Sequence, residues 1–491
     1  MKSTAMHQAA YYALGIVMMK GISLLMIPFV TRHLTTTEYG TLESLLVFAD
    51  VATIIIGFGL VEALHRYVGL ADEKNSESKQ LISNCYSLAI IVTVICMLSL
   101  LFFANNIIAL LPAKVSNLQL LLIAFPALLE GLIAIPLTLM RMQSLAKKFC
   151  LFSVIKAFIQ ALIIIVLLEL GYGIDAILIA GAISSLLLIL FLLPYQLQQL
   201  GPGWYKKWFG LLFWKKNLEI INYGTPIVAG RMGLFAITGL DRWLLADKVG
   251  IEQLAVYAIA IKFSLVLALL MQPFTLWWFP YRFKLLKQVG GDEKCAYYAM
   301  LGTNLGLLLG FAMMLTIPQF IQIILPYEYH EAASIVIVLL VVNMVKNAGD
   351  LLNLGCFIKS SLNQMWVQWL CAAIAVLGYL LFMEDYGVWA AVSVLLFVYS
   401  LRLGLLYRYS QIFYPLPYTH SSWILVVLAG CTCMGLLYLG FLIEFIASDI
   451  IVQLCLGLTL VISLLISLII VNVFPNPISL WKQSTAPAAV V

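Results

Sequence analysis

Long apolar runs follow one another along the whole chain, separated by short segments that contain charged residues, glycine or proline. An α-helix needs about 20 predominantly apolar residues to cross the hydrocarbon core of a bilayer, and each run reaches about this length. The runs lack the apolar–polar alternation of a membrane β-barrel. The pattern therefore predicts an all-α polytopic membrane protein. Its fourteen predicted transmembrane helices are 9–31, 44–65, 82–104, 118–140, 149–170, 174–193, 218–240, 254–280, 296–318, 333–357, 365–383, 387–409, 422–443 and 451–473.

The composition of the 491 residues excludes several classes of protein. Hydrophobic residues make up 63% of the chain and charged residues only 10%, whereas a soluble domain carries about 25% charged residues. A soluble enzyme, a nucleic-acid-binding protein and a disulfide-stapled secreted domain are all incompatible with these values. The nine cysteines lie in or beside apolar runs and form no Cys-x-x-Cys pair, and the five histidines are far apart, so we expect no disulfide framework and no metal site.

Lysine and arginine residues near the helix ends are distributed unevenly between the two sides of the predicted membrane. With the N-terminus in the cytoplasm, nineteen of the 28 Lys and Arg residues fall on the inner side and only four fall in outer loops. Positively charged residues accumulate on the cytoplasmic side of membrane proteins. We therefore expect a multi-pass topology with both termini in the cytoplasm.

The longest polar interruption in the middle of the chain divides it into two parts. In residues 194–216, three tryptophans interleave with four lysines, as is typical of a segment in the headgroup layer of a membrane. We interpret this segment as an amphipathic linker on the cytoplasmic side. It would join an N-terminal six-helix bundle, residues 1–193, to a C-terminal six-helix bundle, residues 217–410. Residues 411–491 would then hold the last two helices and a cytoplasmic tail.

Two short motifs point to a known family. The first predicted helix leads into Arg32, Leu34 and the Glu38-Tyr39-Gly40 turn, and the second ends in Arg66-Tyr67. The Asp241-Arg242 pair, followed by LLADKVGIEQLAVYAIAIK, is a further such region. These stretches resemble bacterial polysaccharide transporters of the O-antigen flippase type.

The resemblance implies the fold of the multidrug/oligosaccharidyl-lipid/polysaccharide exporter superfamily. In that fold, helices 1–6 and 7–12 form two bundles around a central cavity, and helices 13 and 14 are appended. The implied activity is the transfer of undecaprenyl-diphosphate-linked oligosaccharides across the bacterial cytoplasmic (inner) membrane, for O-antigen, capsule or exopolysaccharide. The implied partners are this lipid-linked substrate, membrane lipids and the glycan polymerase machinery, with no nucleic acid. No cofactor is implied, and a coupling ion, H⁺ or Na⁺, is one option.

Charged side chains within the predicted spans are the main candidates for function, because a charge at bilayer depth is costly unless it faces water or a partner. An anionic sugar diphosphate would be attracted by cations in a cavity. The alternative role is ion pairing with carboxylates inside the protein. The candidate cavity cations are Lys20, Arg231, Lys262 and Lys156.

Helix ten carries polar residues on one face, since Asn343, Lys346, Asn347 and Asp350 recur at i, i+3, i+4 and i+7. Lys346 and Asp350 are one turn apart and can neutralise each other. This polar stripe predicts a water-filled lumen in which amides bind sugar hydroxyls. Adhesion between helices through the two asparagines is the alternative.

Four membrane-embedded carboxylates remain, and they are either ion-coupling groups or counter-ions of the lysines: Asp50, Glu62, Glu130 and Glu169. Prolines in predicted helices four, seven and eight would kink or break them, as occurs at transporter sites. Other functions with the same fold are a lipid II flippase and a multidrug exporter. A membrane glycan polymerase or ligase would instead need a large outer loop, and every predicted outer loop is short.

Overall fold

The computed structural model describes residues 2–70, 76–200, 211–359, 362–442 and 450–470. These residues form seventeen α-helices and one short 3-10 helix, Tyr327–Tyr329, with no strand among them. Part of the predicted linker (201–210) and the C-terminal tail (471–491) lie outside the described residues. The helices are α1 (Lys2–His33), α2 (Thr36–Gly57), α3 (Leu60–Leu70), α4 (Ser76–Leu110), α5 (Asn117–Met142), α6 (Ala146–Glu169), α7 (Ile174–Leu200), α8 (Leu211–Thr238), α9 (Leu240–Lys248), α10 (Ile251–Ser264), α11 (Val266–Leu285), α12 (Gly291–Ile324), α13 (Ala332–Leu351), α14 (Leu354–Lys359), α15 (Leu362–Phe413), α16 (His420–Leu442) and α17 (Ile450–Ile470).

The protein is an all-helical, multi-pass membrane protein. In the described part of the chain, twelve segments are long and apolar enough to cross a membrane. Their outward surface is apolar: Leu25 and Phe102, for example, are 78% and 82% exposed. Water would not support such a surface, whereas lipid does.

One of the twelve segments, Gln364–Phe413, is 50 residues long, which at about 1.5 Å per residue exceeds the thickness of a bilayer. It contains a non-helical residue, Gly387 (φ 54°, ψ −130°), where two helices meet within α15. Both predicted spans 365–383 and 387–409 lie on α15. The predicted span 218–240 covers most of α8 and reaches the first residue of α9, and α8 is not one of the twelve segments.

Local sequence explains several helix ends. Thr35 caps α2: its hydroxyl accepts a hydrogen bond from the Glu38 amide (3.2 Å), and the Glu38 carboxylate accepts one from the Thr35 amide (2.9 Å). The two bonds satisfy amides that have no partner within the helix. The prolines expected to kink or break helices lie inside α5, α8 and α11, which run on through them: Pro126, Pro136, Pro226, Pro273 and Pro280.

The chain divides into two compact units. The first comprises Met1–Ala258 and Ala372–Ala391, and the second comprises Ile259–Cys371 and Val392–Val491. These divisions differ from the predicted bundles 1–193 and 217–410, whose boundaries stay a prediction. In the first unit, α5 packs against α2, α4 and α7, and α1 packs on α6; in the second unit, α12 packs against α11, α13, α16 and α17.

Candidate functional site

Lys20 lies on α1 in the first unit and is exposed. At about 100° per residue, Ile27 and Thr31 project to within roughly 20° of its direction, and both are buried, at 7% and 2% exposure. Leu14 and Leu25, which face outward, project roughly 120–140° away from Lys20. Lys20 therefore lies at the edge of the outward apolar stripe, about 60° from the exposed Val17, rather than at its centre. In the described part of the chain, no carboxylate forms an ion pair with it.

Arg231, on α8, forms an ion pair with Glu62 on α3. Their side chains are 41% and 34% exposed, so the pair remains accessible. The chain between α2 and α3 turns through Phe58 (φ 41°) and Gly59 (φ 65°), which interrupts the helix just before Glu62. Gly224 of α8 packs so closely against this turn that a Cβ at Gly224 would collide with the Phe58 carbonyl oxygen, and the positive φ of Gly59 disfavours a side chain there. The turn and the ion pair together join α3 to α8.

Arg242, on α9, is surrounded by carboxylates. Its guanidinium donates to Asp50 Oδ2 on α2 at 3.1 Å, and the charges of Asp241 and Glu43 attract it as well. Asp50 was a possible counter-ion of Lys20, and the structure pairs it with Arg242 instead. Asp241 is 1% exposed and accepts a hydrogen bond from the Tyr257 hydroxyl at 2.6 Å.

Lys156 and Glu130 line one cavity of about 200 Å³ in the first unit, together with Gln160. The cavity brings together one predicted cation and one predicted carboxylate, with a neutral amide beside them. Glu169 lies elsewhere, exposed at the end of α6, and is 3.4 Å from the His33 ring. Lys262 is half-buried at the end of α10, in the second unit.

The polar stripe of α13 contacts neighbouring helices of the second unit. Asn343 donates to Ser264 Oγ at 3.1 Å, and Asn347 packs against Gly306 of α12. Lys346 lies 5.6 Å from the centre of the Tyr399 ring on α15. Asp350 accepts a hydrogen bond from Arg402 at 3.0 Å rather than pairing with Lys346. These contacts are of the helix-to-helix kind that the sequence left open as the alternative to a lumen.

Sequence reasoning did not select Asp241 or Glu43, which are the two carboxylates with the least exposure near Arg242, at 1% and 2%. Asp241 belonged to a motif of the family resemblance, and Glu43 lies seven residues before Asp50, on the same face of α2. The i, i+7 spacing of two acids within an apolar helix was the available signal.

The first unit thus presents an exposed cation inside an apolar helix, an accessible ion pair and a buried carboxylate, on a multi-helical membrane scaffold. Solved structures share this scaffold. A lipid II flippase, MurJ, in an inward closed conformation is similar at a TM-score of 0.70, with 14% identity, covering 92% of this chain and 97% of that one. An inward-facing multidrug resistance MATE family transporter of the MOP superfamily gives 0.57, 13% identity and coverages of 80% and 97%. The MATE transporter DinF-BH gives 0.57, 14% identity and coverages of 84% and 96%.

The fold is therefore shared with MurJ and with MATE family transporters of the MOP superfamily, as the family resemblance implied. The chain belongs to the polysaccharide biosynthesis protein family, which it matches over residues 5–286. This membership confirms the family resemblance that the sequence motifs indicated. No curated protein matches the chain.

Proposed function

We propose that this protein is a flippase that moves undecaprenyl-diphosphate-linked oligosaccharide repeat units across the bacterial cytoplasmic membrane by alternating access. The product would serve O-antigen, capsule or exopolysaccharide synthesis, beside a glycan polymerase. Membership of the polysaccharide biosynthesis family together with the transporter fold is the observation that carries the proposal.

Lys20 and Arg231 are proposed to bind the diphosphate of the carrier lipid. Lys20 carries an exposed ammonium group at the edge of the outward apolar stripe of α1, on the face that further along holds the buried Ile27 and Thr31. Arg231 can exchange its accessible partner, Glu62, for a phosphate oxygen, because a guanidinium binds phosphate as readily as carboxylate. Lys156 and Lys262 are proposed as further cations of the translocation path, and the α13 stripe as a group that binds sugar hydroxyls.

We propose fourteen membrane crossings with both termini in the cytoplasm. The two halves of α15 on either side of Gly387 would each supply one crossing, since each has about 25 residues. The 28-residue α8 is also long enough, and its charged residues are of the kind that line transport paths rather than face lipid. The uneven distribution of Lys and Arg supports the orientation.

A buried carboxylate would couple transport to an ion gradient. Asp241 fits this role best, because it is only 1% exposed and, among the described residues, one of its oxygens has no hydrogen-bond partner while the other binds Tyr257. Glu62 also has a buried oxygen without a partner in the described residues, but its side chain is 34% exposed. A proton or a sodium ion would satisfy the remaining oxygen of Asp241. Asp50 and Glu62 are held by arginines, so we propose them as counter-ions in this conformation, with Glu130 and Glu169 as secondary candidates for coupling.

Complementation tests the function directly. The chain is expressed in a bacterial strain that lacks its own O-unit flippase, and surface glycan is measured with a lectin. We expect display to be restored and the lipid-linked intermediate to stop accumulating. Rescue of a strain depleted of its lipid II flippase, without glycan display, would favour the lipid II alternative. A rise in drug resistance without glycan display would favour the multidrug exporter.

A further inference from the structure

The second unit holds a cavity of about 550 Å³ that neither Lys20 nor Arg231, the proposed diphosphate ligands, lines. It lies among the last turn of α11, the ends of α13 and α14, and two turns of α15. Its volume is in the range of about 300–1,000 Å³ that small-molecule sites occupy. Its lining includes two arginines, two side-chain amides and two phenylalanines: Arg282, Arg402, Asn353, Gln364, Phe283 and Phe357.

Arg282 is buried in the wall of this cavity, with only 5% of its surface exposed. The rings of Phe279, Phe283 and Phe357 lie 4.6–5.0 Å from its guanidinium carbon. Its Nη1 donates to Asn353 Oδ1 at a long 3.5 Å, and its Nε has no partner in the described part of the chain. A buried guanidinium with so few acceptors is costly unless an anion joins it.

The other charged residues that line the cavity do not supply the anion that Arg282 needs. Among the described residues that line the cavity there is one carboxylate, Asp350, and it accepts a hydrogen bond from Arg402 at 3.0 Å. Two arginines and one aspartate among the lining residues give a net charge of +1, and side-chain amides from Asn353 and Gln364 lie beside them. Two or more donors in fixed geometry around one positive charge suit a phosphate group.

The rim of the cavity indicates a lipid rather than a water-soluble anion. Phe283 and Phe357 are 39% and 42% exposed, and Lys284 and Lys287 follow Arg282 at the end of α11. Aromatic rings beside basic residues are typical of the headgroup level of a membrane, and basic pockets between helices bind anionic headgroups there. We propose that this cavity binds the phosphate group of an anionic membrane lipid, with Arg282 as its main ligand. The proposal does not depend on the transport function.

Native mass spectrometry of the full-length, delipidated protein tests this site. Titration with phosphatidylglycerol should show one tightly bound lipid, and Arg282→Gln should weaken that binding at least tenfold. Arg408→Gln is the matched control, because Arg408 is an exposed arginine on α15 outside the cavity, and it should bind the lipid as the wild type does. Since loss of a buried arginine can disturb folding, Gln364→Trp provides a second variant that keeps Arg282 and fills the cavity. It should also weaken binding.

The choice of lipid distinguishes the possible sources of the phosphate. If undecaprenyl phosphate binds more tightly than phosphatidylglycerol and its binding also requires Arg282, the result supports a lipid phosphate site. It then identifies the carrier lipid as the occupant of that site. Equal binding of phosphatidylcholine, or phosphatidylglycerol binding that survives both Arg282→Gln and Gln364→Trp, would overturn the proposal. Competition by millimolar inorganic phosphate, with no dependence on acyl chains, would overturn the assignment to a lipid.

Discussion

Substitution of Arg231 by glutamine separates a ligand-binding role from a structural one. The ion pair with Glu62 has side chains that are 41% and 34% exposed, so solvent screens it and its loss should cost only about 0.2–1 kcal/mol of stability. A charge-assisted hydrogen bond to a diphosphate is worth about 1.5–3 kcal/mol, which corresponds to a loss of transport of about 10- to 150-fold. We therefore expect Arg231→Gln to accumulate at near-normal levels and to export glycan at least tenfold more slowly.

The assay compares surface glycan per molecule of flippase in the complemented null strain, with the membrane level of each variant measured by immunoblot. Glu62→Gln should retain more transport than Arg231→Gln, because it leaves the cation in place. Lys248→Gln is the control and should transport normally, since Lys248 forms a similar ion pair at 3.2 Å with Glu384, whose side chain is 72% exposed. Full export by a well-expressed Arg231→Gln protein would refute the role of Arg231 in binding.

Four further predictions follow from the sequence and the structure. Lys20→Ala should abolish or strongly reduce export at normal abundance, whereas Lys20→Arg should keep part of it; a fall in abundance parallel to activity would indicate a structural lysine instead. Replacement of all nine cysteines, which are free, should preserve activity per molecule, and an abundant but inactive variant would reveal a thiol function. Gly224→Ala should lower abundance, because its added methyl group meets the carbonyl of Phe58, and unchanged abundance and activity would contradict the close packing. Reporter fusions at Lys147 and Lys287 should be cytoplasmic, and fusions at Glu328 and Glu384 should be periplasmic. A single inversion would contradict the fourteen-span topology.

The apolar spans were largely predictable because a membrane span is a local property of about 20 residues. The breaks inside predicted spans 44–65 and 254–280, where α2 gives way to α3 and α10 to α11, were not predicted. Helix capping by Thr35 and Glu38 is local in the same way. The pairing of charges was not predictable from spacing, since it depends on which helices become neighbours. Asp50 and Arg242 are 192 residues apart, and Glu62 and Arg231 are 169 apart. Periodicity gives the face of a helix that a charge occupies, but not the helix that it meets.

Arg282 illustrates the same limit in the second unit. Arg282 lies at the end of an apolar run, as Arg66 does in the first unit, and an arginine in that position is expected at the membrane surface. Arg66 is indeed exposed, and its guanidinium carbon is 4.6 Å from the Tyr223 ring centre. Arg282 is instead enclosed by phenylalanines from two helices, one of which, α14, begins 72 residues later in the sequence. Whether a charge at the end of a helix is buried therefore depends on segments that are distant in the sequence.

The discontinuous first unit imposes a delay during synthesis. Residues 259–371 separate its two segments, and at about 5–20 residues per second the ribosome needs roughly 6 to 23 s to pass through them. Until Tyr379 emerges, the carbonyl of Ile237 lacks the hydroxyl that donates to it at 2.7 Å in the finished protein, and Lys248 lacks Glu384. The nascent chain must therefore keep α8 and α9 in an incomplete environment for many seconds, within reach of the insertion machinery and of membrane proteases.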